Sequence, residues 1–324
     1  MKGAISAPFS PLDDHIKNSS EKDHRIFFEL MRRNNPLDPE KGISEAAATH
    51  HLNQIRKMIV AGEPISMILP AFPGKSPNRR KTLSYMPDLA ERLALDELAG
   101  LCRSIEDIYP PGAVVEICSD GYVFSDLVQI PDNRVTEYTD ELKRWTSELY
   151  PDFFAYFDLK DAYPQLTDLA RMREVLTQQH GEAIDSISAQ AREDAGARSM
   201  YLGITRFLFE DYRGMREFSG FSNTAIQKRA RATAYQVIQR SNAWSALLEA
   251  RRPDAVRLSI HPQGENSKKF GIRLVPCVDI WRTPWHSVAV KRDGQIFLER
   301  RSDVEAEACR LMFRNGRPCH YVYS

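Results

Sequence analysis

Residues able to do chemistry are concentrated in a few short segments of this chain. The densest is Phe72-Pro73-Gly74-Lys75-Ser76-Pro77-Asn78-Arg79-Arg80-Lys81, where Lys75, Arg79, Arg80 and Lys81 put four cations within seven residues. Such a loop suits a phosphate or a carboxylate, because an ammonium acts as a point charge and a guanidinium as a two-pronged fork. It lacks the glycine spacing and the GK[ST] ending of a nucleotide-binding P-loop, and a solvated basic loop is the competing reading. Asp120, in Ser119-Asp120-Gly121, precedes Asp126 by six residues. Two carboxylates there can bind sugar hydroxyls, exchange a proton or orient a base; an ordinary Asp-Gly turn is the alternative. His261 in Ser259-Ile260-His261-Pro262-Gln263 and His286 in Thr283-Pro284-Trp285-His286 are candidates for acid–base work near neutral pH. Trp285 offers a ring on which a ligand ring can stack. Neither histidine has an HxH or HxxxH neighbour, so no metal is expected. Arg206 and Arg273 stand among apolar residues, where a cation calls for a buried carboxylate or an anionic ligand.

These segments need a scaffold that brings them to one place. The run PISMILP (64–70) is short, apolar and bounded by prolines, and reads as a buried strand. AVVEICSD (113–120) and FFAYFD (153–158) are two more strands, with DGYVFSDLVQI (120–130) read as a turn and a short extended piece. Helices alternate with them. One opens at Ser44, a good N-cap, and stops at Gly62; a second starts at Asp88; a third covers about 135–149. Strands alternating with helices predict an α/β fold, a Rossmann-like, mostly parallel sheet with helices on both faces. From about 162 to 250 strand signals vanish and helical patterning takes over, which reads as a largely helical insertion. Strand signals return at 255–260, 270–275 and 286–298, the last with the hairpin turn Asp293-Gly294. A final helix is predicted at about 302–314. Residues 1–25 read as a loosely held arm, giving a division into an arm (1–42) and a catalytic domain (43–324). In a doubly wound sheet ligands sit beyond the carboxyl ends of the strands, where the cation loop, Asp120 and His261 all fall.

Composition narrows the function classes. The 324 residues include 44 Lys+Arg and 44 Asp+Glu, a formal net charge of zero. Nucleic-acid affinity rests on accumulated positive charge, so nucleic acid is not an expected partner, and local cations are to be read as sites. Five cysteines, none in a CxxC spacing, argue against a disulfide framework and for reduced thiols in the cytoplasm. No apolar run reaches the length of a membrane span, and the first residues do not form a signal peptide.

The segments LPAFPGKSPNRR, MPDLAERLALDEL, PGAVVEICSDGYVFSD, YLGITRFLFED, RLSIHPQ, KFGIRL and TPWH, in that order, resemble the pyoverdine/dityrosine biosynthesis family, whose bacterial members are isocyanide (isonitrile) synthases. The likeness runs from about residue 43 to 320, with Gly74 standing where the family commonly has a bulkier residue. It implies a Rossmann-like fold with added helices and a lyase reaction. The α-amine of an aromatic amino acid, L-tyrosine before L-tryptophan, becomes an isocyanide with one carbon from D-ribulose 5-phosphate. The resemblance implies no metal or redox cofactor, two small-molecule substrates, and an iron/2-oxoglutarate oxygenase as pathway partner. On that basis Lys75, Arg79, Arg80 and Lys81 are the phosphate candidates, Lys75 first. Asp120 and Asp126 would handle hydroxyls or protons. His261, then His286, would act as acid–base, Arg206 or Arg273 would hold the carboxylate, and Trp285 or Tyr201 would pack on the substrate ring. Another phosphosugar-dependent lyase or transferase fits the cation loop equally, and a non-catalytic binding module is the reading from outside enzymology.

Overall fold

The computed structural model describes residues 11–275, 282–305 and 309–323; Cys277 and part of the helix expected at 302–314 lie outside them. In chain order the elements are α1 (Pro11–Met31), α2 (Glu45–Ala61), β1 (Ile65–Leu69), α3 (Leu89–Glu106), β2 (Ala113–Cys118), α4 (Gly121–Val128), α5 (Asp132–Leu149) and β3 (Phe154–Phe157). Then come α6 (Leu159–Ala162), α7 (Leu169–His180), α8 (Ile184–Glu193), α9 (Ala195–Arg213), α10 (Asn223–Arg251), β4 (Val256–Ser259) and β5 (Phe270–Gly271). The last are β6 (Val288–Arg292), β7 (Gln295–Glu299), α11 (Arg301–Val304), β8 (Cys309–Arg314) and β9 (Arg317–Tyr323).

The first five strands form one all-parallel sheet in the order β3-β2-β1-β4-β5. Successive strand side chains point to opposite faces, and both faces of this sheet are covered. Met67, Leu69, Val115 and Ile117 enter a core with α1, α2, α3 and α5. Ile68, Cys118 and Phe157 enter a second core, with Val123 of α4, Leu176 of α7 and Trp244 and Leu248 of α10. The chain winds outward from β1 to β3, then crosses to the other side of β1 to lay down β4. The gap between β1 and β4 is therefore the topological switch point, and its carboxyl end is where a doubly wound sheet offers a crevice.

Local signals explain the helix boundaries. Ser44 accepts a hydrogen bond from the Ala47 amide, and Gly62 closes α2 at φ +71°, a left-handed conformation that glycine adopts without strain. Asp88 and Glu91 form a capping box on α3. As expected, helices fill the stretch between β3 and β4, and α9 and α10 share a small core built on Leu208, Tyr212, Ile226 and Ala230.

Three expectations need correction. Residues 11–31 are helical, Asp23 is fully buried and pairs with Arg56 at 2.7 Å, and Ile26 and Leu30 enter the main core, so the chain from residue 21 on is docked rather than loosely held; residues 1–10 lie outside the described residues. Residues 121–128 are helix α4, whose apolar residues sit at helical spacing (Val123 and Leu127), with no extended piece. Among the described residues the helix expected at 302–314 is the four-residue α11, and residues from Cys309 on belong to β8. There β8 and β9 join through Asn315-Gly316 at φ +50° and +74°, the same turn chemistry as Asp293-Gly294 between β6 and β7. These hairpins form a separate four-stranded sheet, β7-β6-β9-β8. No helix among the described residues is long and apolar enough to cross a membrane.

Candidate active site at the carboxyl edge of the parallel sheet

The loop after β1 is where the chain converges. Phe72 sits at φ +59°, a left-handed conformation uncommon for a bulky residue, and Gly74 at φ +113°. Strain of this kind costs roughly 1–3 kcal/mol and persists only where surroundings enforce it. Here they do. Phe72 packs on Trp285, with ring centroids 5.3 Å apart, and its carbonyl accepts a hydrogen bond from the Ser119 hydroxyl at 3.1 Å. A Cβ on Gly121 would lie 2.5 Å from the Pro73 carbonyl oxygen, so only glycine lets α4 start so close to this loop. The Ser76 amide donates to the Trp285 carbonyl, and the Ser76 hydroxyl to Asp211 of α9. One loop thus ties together the ends of β1 and β2, the C-terminal turn of α9 and the 283–287 turn.

The four cations of this loop divide into two pairs. Lys75 is fully buried; its ammonium is 2.9 Å from Asp88 and 2.8 Å from Glu91 and donates to the Pro284 carbonyl at 3.0 Å. Burial alone would push its pKa down, but Asp88 and Glu91 outweigh that and hold it above the usual lysine value. With its charge matched and its donors engaged, Lys75 is not the phosphate-binding cation. Burial raises the Glu91 carboxyl to about 7, opposed by Lys75 and reinforced by Asp88. Lys81 is also buried, 2.5 Å from Asp211 and 5.0 Å above the Phe207 ring. Arg79 and Arg80 are exposed, and among the described residues neither has a carboxylate partner.

Asp120 stands beyond the end of β2, in the position preceding α4. Its φ of −94° and ψ of 11° lie in the sparsely populated bridge region where active-site residues are often found, and its side chain makes no capping bond. Its Oδ1 is enclosed and has no hydrogen-bond partner, and burial raises the carboxyl to about 7. Asp126 does something different. It is exposed, and its carboxylate takes both Nη1 and Nη2 of Arg240 and lies 3.5 Å from Arg173, fastening α4 to α10 and α7. That engagement removes it from proton transfer.

Both histidines reach the same edge. His261 follows β4; solvent reaches its ring, yet surrounding protein and the Lys269 charge lower its pKa. His286 shares a 3.0 Å hydrogen bond between Nδ1 and the Thr283 hydroxyl and meets the Phe207 ring edge-on at 4.9 Å. Burial, then Lys81, His261 and Lys75, push its pKa well below the usual 6.5. A small cavity beside it is lined by Asn35, Ile260, Arg273, Thr283 and Pro284, which keeps Arg273, itself exposed, next to the crevice.

Three other expected contacts do not form. Arg206 is exposed on α9 and pairs with Glu210 one turn on. Trp285 is buried against Phe72 and offers no open ring face. Tyr201 stacks on Tyr235 at 4.4 Å between α9 and α10. Residues that sequence reasoning passed over are Phe207 and Asp211, inside the same RFLFED segment. Their i, i+4 spacing puts both on the α9 face that meets the loop, whereas Arg206 and Glu210 share another. Among the described residues no three His, Cys, Asp or Glu side chains come together as a metal site.

The family model of the pyoverdine/dityrosine biosynthesis protein matches residues 55–312. The chain belongs to that family. It is 41% identical to an L-tyrosine isonitrile synthase of Xenorhabdus nematophila over 93% of this chain and 86% of the relative. Its identity to an L-tyrosine isonitrile synthase of Pseudomonas aeruginosa is also 41%, over 92% of this chain and 93% of the relative. An L-tryptophan isonitrile synthase of Fischerella ambigua is 40% identical over 85% of this chain and 82% of the relative. The crystal structure of the PvcA protein from Pseudomonas aeruginosa superposes with a TM-score of 0.84 at 40% identity, covering 93% of this chain and 99% of that one. The crevice at the β1/β4 switch point is the candidate active site of this family member.

Proposed function

We propose that the protein converts the α-amine of an aromatic amino acid, L-tyrosine in preference to L-tryptophan, into an isocyanide with one carbon from D-ribulose 5-phosphate. The observation that carries this reading is Asp120: a carboxyl whose Oδ1 is enclosed and without a hydrogen-bond partner, raised by burial to about 7, at the same sheet edge as a His286 held well below its usual pKa. The first chemical step needs that pair. An α-ammonium must lose a proton before its nitrogen attacks the C2 ketone, and the resulting carbinolamine must gain one to release water. His286, low in pKa, suits the base; Asp120, raised in pKa, suits the acid. Environments that shift two titratable groups in opposite directions, here reversing their usual order, commonly mark acid and base partners. Arg79 and Arg80, exposed and without a carboxylate partner among the described residues, suit the sugar phosphate, and Arg273 suits the amino-acid carboxylate. Carbon–carbon cleavage of the sugar then makes the enzyme a lyase that uses no metal or redox cofactor. We place the reaction in the cytoplasm, upstream of an iron/2-oxoglutarate oxygenase that consumes the isocyanide.

The deciding experiment is mass spectrometry and infrared spectroscopy of the products formed from each aromatic amino acid with ribulose 5-phosphate. An isocyanide stretch and a 2-isocyano acid formed fastest from tyrosine are expected. A phosphosugar product without an isocyanide would assign the site to another lyase or transferase. For the phosphate assignment, the Arg79→Ala/Arg80→Ala double variant is expected to raise KM for ribulose 5-phosphate at least about tenfold, since hydrogen bonds to charged groups contribute about 1.5–3 kcal/mol each. KM for the amino acid should stay within about twofold; equal rises for both substrates would remove the two arginines from that role.

A further inference from the structure

Lys81 has a setting that phosphate binding does not explain. It is a buried cation whose ammonium is claimed by Asp211 at 2.5 Å, with Glu210 farther off at 4.0 Å. Asp211 is itself 2% exposed and also accepts the Ser76 hydroxyl at 3.0 Å, so it cannot follow Lys81 out toward solvent. The Phe207 ring lies under the ammonium at 5.0 Å, and the same ring meets the His286 imidazole edge-on at 4.9 Å. Phe207 and Asp211 sit one helical turn apart on α9, which is locked against the loop: a Cβ on Gly214 would collide with the Asn78 side chain. A rigid helix end therefore presents a carboxylate and an aromatic ring that together fix one positive charge beside one histidine.

We propose that Asp211 and Phe207 of α9 hold the Lys81 ammonium beside His286, so that this fixed charge excludes a second one from the imidazole and leaves it ready to take a proton from the substrate ammonium. The inference rests on His286 acting as the base in the reading above, but the arrangement exists without substrate. Lys81 and Asp211 are positioning residues; neither is required to touch substrate. The charged and titratable groups facing His286 are Lys81 and Lys75 from the loop after β1 and His261 from the end of β4, while α9 contributes the uncharged Phe207. Of the two lysines, Lys75 is neutralised by two carboxylates at 2.9 and 2.8 Å, whereas Lys81 has one close partner. Both lysines are ion-paired, and of the two Lys81 acts on the ring more strongly. Burial acts in the same direction, and because burial is unchanged by replacing Lys81, the two causes separate experimentally.

The test is the titration of the His286 ring by NMR in the substrate-free enzyme, assigned by comparison with His286→Gln. Lys81→Met, or Lys81→Gln if the methionine variant does not fold, should move the His286 midpoint upward toward 6.5, and the acid limb of kcat/KM should move with it. Lys81→Arg retains the charge and should leave both where they are in the unsubstituted protein. Asp211→Asn should lower turnover without raising the midpoint, because the lysine charge remains. A midpoint that stays put in both neutral variants overturns the inference, as does an equal shift in Lys81→Arg. If the NMR shift appears but no aromatic amino acid yields an isocyanide, the functional reading fails while the electrostatic one stands.

Discussion

Replacing Asp120 with asparagine is expected to lower kcat for isocyanide formation by roughly 10²–10⁴-fold, the range supplied by a well-placed general acid or base. The substitution keeps the size and most of the shape of the side chain and removes only its proton exchange, so substrate KM values should change little. The pH dependence carries the sign. Asp120 acts as an acid when protonated, which it is below about 7, while His286 must be uncharged, which it is above its depressed pKa. The kcat/KM profile should therefore rise at acid pH and fall through about 7, and Asp120→Asn should remove the alkaline limb along with most of the rate. Stability should respond in the opposite sense. The folded-state pKa of Asp120 lies above its ordinary value of 3.8, so the native state holds a proton that the unfolded chain releases. Stability is then lost progressively as pH rises from about 4 to about 7, and the full cost is present above that. The asparagine variant should melt higher than the unsubstituted protein at pH 8 and match it near pH 4. A variant that is inactive yet more stable at alkaline pH is the signature of a strained functional group. Loss of stability at pH 8 would instead make Asp120 a structural residue.

How far the sequence alone leads follows from the range of the interactions involved. β1, β2 and β3 are short, mostly apolar runs because helices cover both faces of their sheet, with Ser66 and Glu116 the polar exceptions, and the turn and cap residues Ser44, Gly62 and Asp88 act within a few positions of themselves. A parallel sheet puts every strand-to-helix loop at one edge, which is why Asp120, His261 and the cation loop are legible as neighbours. The partners of a charge are not local. Lys75 and Arg79 look alike in the string Gly-Lys-Ser-Pro-Asn-Arg, yet one lies under α3 and the other faces solvent. What decides between them is a capping box 13 to 16 residues downstream and a carbonyl at Pro284. Asp126 is fixed by Arg240, 114 positions away, and Lys81 by Asp211. The β8–β9 hairpin is of another kind. Its Asn315-Gly316 signal is local, but the apolar residues before it also fit a helical period, and only the pairing between strands decides against the helix.

Lys75→Met is expected to cost about 3–5 kcal/mol of stability, a large effect for one side chain, because it leaves buried carboxylates without their counter-ion. Asp88 and Glu91 cap α3, and each is held in the interior by the ammonium it shares; Tyr138, also fully buried, donates its hydroxyl to Glu91 at 3.2 Å. Without Lys75 the two carboxyls repel, and at least one must take up a proton that the unfolded chain does not hold at pH 7. The penalty should therefore be larger at pH 8 than at pH 5, where protonation relieves it. Thermal melts at the two pH values read this directly, and a chain of this size loses about 1.5 °C per kcal/mol, so a drop of roughly 4–7 °C is expected at the higher pH. Lys75→Met/Glu91→Gln removes one carboxylate together with the lysine and should recover part of the loss. Function should track stability in these variants: the Pro284 carbonyl loses its donor at 3.0 Å, so the turn that carries His286 loosens and kcat falls with it. A phosphate-binding lysine would behave in the reverse manner, with a near-normal melt and a rise confined to KM for the sugar phosphate. The buried ammonium and its two carboxylates instead make Lys75 part of the frame on which the site is mounted.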